Sequence, residues 1–360
     1  MTSIFNYLQK PQLKTFDQDP LNEVDGLIFC ELAYVNFGAL AKRLENPQDL
    51  SLTQAAKAWI KNPQPDFLPP NYLLRNRAYR LLRLAGASRR FGPVQVKNFL
   101  EDLSPEEESQ FGAVNFYYKD QPFFVAFQGT DLHALGWKED LSLSYLPLIP
   151  AQKKALDYLE DQVKKDPRPL SLGGHSKGGN LAIFAGIFAK KSSQDQIIRI
   201  YNYDGPGFQP GVLEEPGYRR ILGKIRTIIP HKSTIGLLLY RLEEPQSIYS
   251  RGGGLIQHLG YFWEVEEKAF KPYPLSQEAK DNQKRMEAFL DQVSLDQREA
   301  FTNILFRLFG DEKKDLVLER PPYNLKKIRD LMASYQGLSQ ESKDCLFQVL
   351  ASYIKASRAY

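Results

Sequence analysis

The chain has few of the residues that build disulfide scaffolds or metal sites. Its 360 residues include two cysteines, three methionines, three tryptophans and four histidines. Cys30 and Cys345 are far apart in sequence and lie in apolar surroundings, so we expect two buried thiols in a reducing compartment and no disulfide framework. The scattered histidines and cysteines lack the spacing of metal ligands, and no cofactor is implied.

Long hydrophobic runs and an excess of charge of one sign are also missing. No segment approaches the ~18 consecutive apolar residues of a membrane span, and the N-terminus lacks an apolar stretch behind a basic start. We therefore expect a cytoplasmic protein without a transmembrane segment. The net charge is only +4, and the basic residues form no stripe interleaved with aromatics, which argues against a nucleic-acid partner. The oligomeric state is left open.

What the chain does have is a globular composition, with 42% hydrophobic and 25% charged residues. Its length alone predicts about two domains, and the residue patterns divide it into three zones. Residues 1–108 are predicted to be a helical segment packed on the core, 109–265 an α/β core, and 266–360 a helical extension. Helices are predicted in the flanking zones at 22–37, 51–60, 71–85, 279–293, 295–310, 325–335 and 339–357, with a proline-rich connector at 62–70.

The middle zone alternates between strand and helix patterns. Helices are predicted over 151–165 and from Ser176 onward, and strands over 112–118, 123–128, 170–173, 197–203, 225–229 and 247–250. This alternation is typical of βαβ crossovers, so the sequence predicts an α/β fold with a mostly parallel central sheet and helices on both faces.

The most informative motif is GHSKG at residues 174–178. It follows a predicted strand and opens a predicted helix, which is the context of a nucleophile elbow, where a serine adopts a strained conformation between two glycines. We interpret Ser176 as a nucleophile. A glycine-rich turn that serves only as a tight connection is the alternative interpretation.

A serine nucleophile needs a base and an acid. His258 follows the last short predicted strand and is the histidine that fits the chain order serine, acid, histidine. Asp204 ends the strand after the nucleophile helix and is the leading candidate for the acid, with Glu243 and Glu244 as alternatives. Structural roles for the histidine and for Asp204, as a turn cap, also fit.

Two backbone amides are the candidates for an oxyanion hole. One belongs to Lys177, directly after the nucleophile, and its side chain is expected to be solvated at the helix start. The other belongs to Thr130, in the Gly-Thr turn that follows the predicted strand 123–128.

Three blocks of sequence carry a resemblance to a known family. VAFQGT at 125–130, GWKEDL at 136–141 and GHSKGGN at 174–180 resemble blocks of class 3, fungal-type lipases. With NEVD at 22–25, DGPGF at 204–208 and the pair Gln257-His258, the chain resembles the Mbeg1-like family of α/β-hydrolases over residues 20–265. By position, the resemblance implies Ser176 as nucleophile, His258 as base, and Thr130 and Lys177 as oxyanion donors.

The sequence departs from class 3 lipases in one respect. Those enzymes carry the catalytic aspartate just after the strand that corresponds to 225–229, and here the segment 230–234 reads PHKST, without a carboxylate. We favour a shift of the acid to Asp204 over an incomplete triad.

Residues 132–150 lie where the resembled lipases carry a lid. They could supply an apolar wall for an acyl chain, or they could be an irregular segment packed on the core. The segment 235–240 could form an opposite wall. Leu146, Leu148 and Leu238 are the candidate substrate-binding residues. The proposed wall consists of side chains predicted to be exposed, those of Leu141, Leu143, Tyr145, Leu146, Leu148 and Ile149.

Taken together, these features predict a serine hydrolase of esterase or lipase type, acting on a small-molecule or lipid-like ester through a Ser-His-Asp triad and an acyl-enzyme. Two alternatives stay open. One is a thioesterase or peptidase that uses the same triad, and the other is a binding module that keeps the scaffold without catalysis.

Overall fold

The computed structural model describes residues 2–44, 50–62, 73–131, 134–309 and 332–359. The chain divides into two compact units, each discontinuous in sequence. The first comprises Met1–Asp102, Phe111–Gly129 and Ala151–Ala279, and the second comprises Leu103–Gln110, Thr130–Pro150 and Lys280–Tyr360. The predicted zones, in contrast, were consecutive in sequence.

A seven-stranded sheet forms the centre of the fold, and its strands lie side by side in chain order. The second and third strands are antiparallel, and the third to seventh are parallel. The predicted α/β fold with a mostly parallel sheet is therefore confirmed. The strands are β1 Gln95–Ser104, β2 Ser109–Tyr117, β3 Phe123–Phe127, β4 Leu170–His175, β5 Ile197–Tyr203, β6 Ile225–Pro230 and β7 Gln246–Ile248.

The middle strands are mostly apolar and buried because both faces of the sheet are covered. Every residue of β3 and β4 is buried. The edge strand β1 is different, since most of its side chains are exposed or half-buried and its sequence is largely polar. It lies in the zone that the sequence predicts to be mostly helical, and the sequence analysis missed it.

Two helices cover opposite faces of the sheet beside β4. A Cβ added to Gly173 would lie 3.0 Å from Cys30 Sγ, on helix α2 (Glu23–Leu32), whereas one added to Gly174 would overlap the backbone at Gly178, on helix α8 (Lys177–Phe188). Because successive residues of a strand point to opposite faces, α2 and α8 lie on the two sides of β4. Helix α2 of the N-terminal segment is thus part of the core.

Asn22 caps α2, with its side chain accepting hydrogen bonds from the amides of Val24 and Asp25. The first unit contains further helices and a short hairpin. The helices are α1 Ile4–Leu8, α3 Phe37–Ala41, α4 Leu52–Lys61, α5 Leu73–Ala87, α7 Pro150–Lys165, α9 Lys191–Gln196, α10 Pro210–Leu213 and α11 Pro216–Ile221, and the hairpin consists of β8 Val265–Glu266 and β9 Ala269–Phe270. Residues 63–70 of the predicted connector lie outside the described residues.

The second unit is helical apart from its share of β1 and β2. Its helices are α6 Ala134–Ser142, α12 Gln277–Gln292 (which begins in the first unit), α13 Leu295–Phe309 and α14 Gln340–Ala359. A small apolar cluster of Ile304, Leu338 and Leu346 holds α13 and α14 together. Residues 325–331 of one predicted helix lie outside the described residues. In the described ranges, no helix is long and apolar enough to cross a membrane.

Candidate active site

Ser176 lies in the turn between β4 and α8 and has a strained backbone. Its φ and ψ angles are 58° and −131°, values that are uncommon for a residue other than glycine. The Ser176 amide donates a hydrogen bond to the carbonyl of Tyr203 at 2.9 Å, which ties the turn to the end of β5. The flanking Gly174 and Gly178 pack backbone to backbone, where a Cβ would overlap. This is the local geometry that the motif predicts.

The chain that leaves β3 passes directly beside this turn. A Cβ on Gly178 would overlap the carbonyl oxygen of Phe127. One added to Gly129 would overlap the carbonyl of His175 and come within 3.3 Å of Ser176 Cβ. Glycine at position 129 therefore allows the backbone after β3 to approach the serine closely.

Asp204 directly follows β5, and its side chain is fully buried. Its Oδ2 lies 2.6 Å from Nδ1 of His258, and its Oδ1 accepts hydrogen bonds from Ser233 Oγ at 2.5 Å and from the Gly236 amide at 3.1 Å. An ionised carboxylate can only accept, so Nδ1 of His258 carries the proton of this contact. The neutral His258 ring then presents Nε2 as a proton acceptor.

His258 ends a 3₁₀ turn, Gly254–His258, that is fixed by several hydrogen bonds. The carbonyl of Gln257 accepts from Trp263 Nε1 at 2.9 Å and from Ser250 Oγ at 3.3 Å. The carbonyl of His258 lies 2.8 Å from Nε2 of His175, and the two histidine rings are 4.6 Å apart between centroids. His258 is therefore held beside the residue that precedes Ser176.

The alternative acids have other surroundings. Glu243 accepts hydrogen bonds from Tyr218 Oη and Thr227 Oγ1, each at 2.7 Å, and lies 3.8 Å from Arg241. Glu244 is exposed. Of the three carboxylates weighed from the sequence, Asp204 is the one that contacts His258.

Sequence reasoning missed the residues that hold the loop after Asp204. Asn180 Nδ2 donates to the carbonyl of Gly207 at 2.8 Å, and Gln152 Nε2 donates to Asn180 Oδ1 at 2.9 Å. Asn202 Oδ1 accepts from the Gly205 amide at 2.8 Å. Asn180 is part of the GHSKGGN block, so the motif contained this signal without revealing its partner.

The predicted oxyanion donors lie in different units. Lys177 is the first residue of α8, in the first unit, and its side chain is buried, contrary to the expectation that it is solvated. Thr130 follows Gly129 in the chain and belongs to the second unit, where its hydroxyl donates to Asp140 Oδ1 at 2.8 Å.

The predicted substrate-binding leucines are also divided between the units. Leu238 is half-buried in the first unit, and its carbonyl accepts a hydrogen bond from the Gly207 amide at 2.8 Å. Leu146 is half-buried and Leu148 exposed in the second unit. Part of the predicted apolar wall is buried instead of exposed, namely Leu143, Tyr145 and Ile149. Residues 132 and 133 of the segment lie outside the described residues.

Two ionisable groups near His258 have strongly altered pKa values. Burial, together with the charge of His258, lowers the pKa of His175 to about 3. Burial raises the pKa of Glu31 to about 7, against the opposing effects of Tyr261, His258 and Arg77. Within the described ranges, no three His, Cys, Asp or Glu residues are grouped as a metal site would need.

Comparisons with known proteins place the chain in a family. The crystal structure of M37 lipase matches 60% of this chain and 70% of that chain at 12% identity, with a TM-score of 0.37, which is too low to carry an argument. No curated protein matches the sequence. The Mbeg1-like family matches residues 85–307, which is more than half of the chain. The resemblance found in the sequence is thereby confirmed, and the protein belongs to the Mbeg1-like family.

Proposed function

We propose that the protein is a serine hydrolase that cleaves carboxylic esters through an acyl-enzyme intermediate. The observation that carries the proposal is the 2.6 Å contact between Asp204 and His258, held beside the strained turn of Ser176. Neither a tight connection nor a turn cap would require a buried carboxylate bonded to a histidine at this point of the fold.

In the proposed reaction, Ser176 Oγ attacks the carbonyl carbon of the ester while His258 Nε2 takes the hydroxyl proton. His258 then returns this proton to the leaving alkoxide, and the acyl group stays on Ser176. A water molecule, activated by His258 in the same way, releases the acid and restores the serine. Asp204 keeps the His258 Nδ1–H directed at itself and stabilises the imidazolium that forms in both steps.

In this scheme, backbone amides donate hydrogen bonds to the negatively charged oxygen of the tetrahedral intermediate. The Lys177 amide is at the N-terminus of α8, where the helix dipole favours an anion. Thr130 is proposed as the second donor because its residue comes directly after Gly129, whose backbone packs beside Ser176. Leu146, Leu148 and Leu238 stay proposals for contact with an apolar acyl group.

A carboxylate-to-amide pair tests the proposal. Asp204→Asn should lower kcat for a p-nitrophenyl ester by about three to four orders of magnitude, because the amide no longer fixes the His258 tautomer. Glu243→Gln is the matched control and should change kcat by less than tenfold. A large loss in Glu243→Gln with little effect of Asp204→Asn would assign the acid to Glu243 and contradict the proposed triad.

The class of substrate, defined by its leaving group, is tested by comparing different acyl compounds. A triad acts on thioesters and amides by the same steps, so acyl-CoA and peptide panels distinguish an esterase from a thioesterase or peptidase. We also propose a cytoplasmic location, which both free cysteines support: Cys30 is buried and Cys345 half-buried.

A further inference from the structure

A second cluster of buried polar groups adjoins His258 through His175. Glu31 on α2, His175 at the end of β4 and Tyr261 are each no more than 3% exposed. Glu31 Oε1 lies 3.7 Å from His175 Nδ1. Among the described residues, His175 Nδ1 and both Glu31 oxygens lack a hydrogen-bond partner of normal geometry, and the Tyr261 hydroxyl interacts with Glu31, where a hydrogen bond from it favours the ionised carboxylate. Unpaired polar atoms at this depth are costly, so their persistence next to a catalytic residue calls for a reason.

The protonation of His175 follows from its contact with His258. A backbone carbonyl can only accept, so Nε2 of His175 must carry the hydrogen in its 2.8 Å contact with the carbonyl of His258. The low pKa of His175 keeps the ring neutral, and Nδ1 is then an unprotonated acceptor. This bare nitrogen is the atom that faces Glu31.

Glu31 complements the bare nitrogen only when it carries a proton. A carboxylate and an unprotonated ring nitrogen repel each other, whereas a carboxylic acid donates its O–H to the nitrogen. Closing the 3.7 Å separation by about 0.5–1 Å brings the two atoms into hydrogen-bond range. The burial of Glu31 favours the acid form at and below neutral pH.

We propose that Glu31 and His175 are positioning residues for His258. A proton shared between Glu31 and His175 Nδ1 keeps the His175 Nε2–H on the carbonyl of His258, and the charge of Glu31 sets how readily His258 accepts a proton. The inference rests on the proposed function, because the residue that Glu31 and His175 would control is His258, the proposed base.

Several charged or ionisable groups face Glu31 and bear on its charge. From other elements they are His175, His258, Tyr261 and Arg77, and on α2 itself the neighbour is Cys30. Arg77 also lies over the Tyr261 ring at 5.5 Å. When Glu31 ionises, its negative charge stabilises the imidazolium of His258, so the base becomes harder to deprotonate.

Imidazole ¹⁵N NMR tests this directly, because the chain has only four histidines. Wild type and Glu31→Gln are titrated, with the resonances assigned by single histidine variants. The amide side chain of Glu31→Gln keeps a donor for His175 but cannot ionise, so removing the negative charge should move the His258 resonances to a lower titration midpoint, by about half a pH unit or more. His175 should stay neutral with its proton on Nε2.

Glu23→Gln, the same substitution at the other end of α2, is the matched control and should leave the His258 midpoint unchanged. Equal His258 midpoints in wild type and Glu31→Gln, or a His175 proton on Nδ1, would overturn the inference. This readout needs no turnover: a wild type without ester hydrolysis would refute the proposed function, and the NMR comparison would still decide the role of Glu31.

Ester kinetics give a second readout. In Glu31→Gln the acid limb of the kcat/KM profile should move to lower pH with KM unchanged. Glu31→Leu, which cannot donate a hydrogen bond to His175, should lower kcat about tenfold or more relative to wild type. The kcat of Glu31→Gln should stay within about threefold of the wild-type value. Equal kcat values for the two variants would contradict a role for the shared proton.

Discussion

Replacing Glu31 by glutamine should change how the stability of the protein depends on pH. Burial raises the pKa of Glu31 from its ordinary value of 4.5 to about 7. The folded protein therefore keeps a proton between these pH values that the unfolded chain releases. The contribution of this residue to stability is fully present below pH 4.5 and is lost as the pH rises through 7.

The magnitude follows from the two pKa values. At ~1.4 kcal/mol per pH unit, their difference corresponds to about 3 kcal/mol of unfolding free energy. His175 acts in the opposite sense, because its pKa is lowered to about 3: its contribution is present above pH 6.5 and is lost as the pH falls toward 3. His175 is present in both proteins, so the pH-dependent difference between them reports on Glu31 together with the groups coupled to it.

Urea unfolding followed by tryptophan fluorescence at pH 4.5 and pH 8 measures the effect. The unfolding free energy of Glu31→Gln minus that of wild type should be about 3 kcal/mol more positive at pH 8 than at pH 4.5. The exposed Glu244 provides the control Glu244→Gln, for which we expect no comparable change. A difference for Glu31→Gln that is the same at both pH values within about 0.5 kcal/mol would show that Glu31 does not keep its proton in the folded protein.

Two further substitutions probe contacts of the first unit. Arg90 and Asp25 form a buried ion pair, with side chains 1% and 0% exposed. Arg90→Met should lower the unfolding free energy by about 3–5 kcal/mol in urea titrations, because it leaves the carboxylate without its cation, and a loss below 1 kcal/mol would count against this. Ser233→Ala removes one hydrogen bond to Asp204 and should lower kcat for an ester about 10- to 100-fold. An unchanged kcat would show that this bond does not support the acid.

The sequence predicted the central strands well because their pattern has a simple physical cause. β5 has the predicted bounds, Ile197–Tyr203, and β4 extends the predicted strand by two residues to His175. Parallel strands covered on both faces are nearly continuous apolar runs bounded by polar turns. β1 escaped detection because an exposed edge strand has no such run.

The sequence predicted those site residues that the chain order of a triad and the ends of strands single out. Chain order and strand ends singled out Asp204 and His258, and the structure brings their side chains to 2.6 Å. The choice against Glu243 depended on distances that no single sequence contains. Ser233, in the segment without a carboxylate, contacts Asp204 only through the tertiary fold.

Glu31 shows the limit of sequence reasoning most clearly. It lies on a helix of the N-terminal segment, and nothing in its local sequence relates it to His175. The two meet because α2 covers the face of β4 to which Gly173 and, two residues later, His175 point. Pairings of this kind arise from packing between elements far apart in sequence, so no local pattern predicts them.

The proposed function depends first on Ser176 being an activated nucleophile. The most direct test is the stoichiometry of labelling by a fluorophosphonate probe, with the modified residue identified by mass spectrometry in the folded wild type and in Ser176→Ala. We predict close to one phosphonyl group per chain, on Ser176, and none in the variant. Folded wild-type protein that stays unlabelled, or labelling that persists in Ser176→Ala, would show that Ser176 is not the nucleophile.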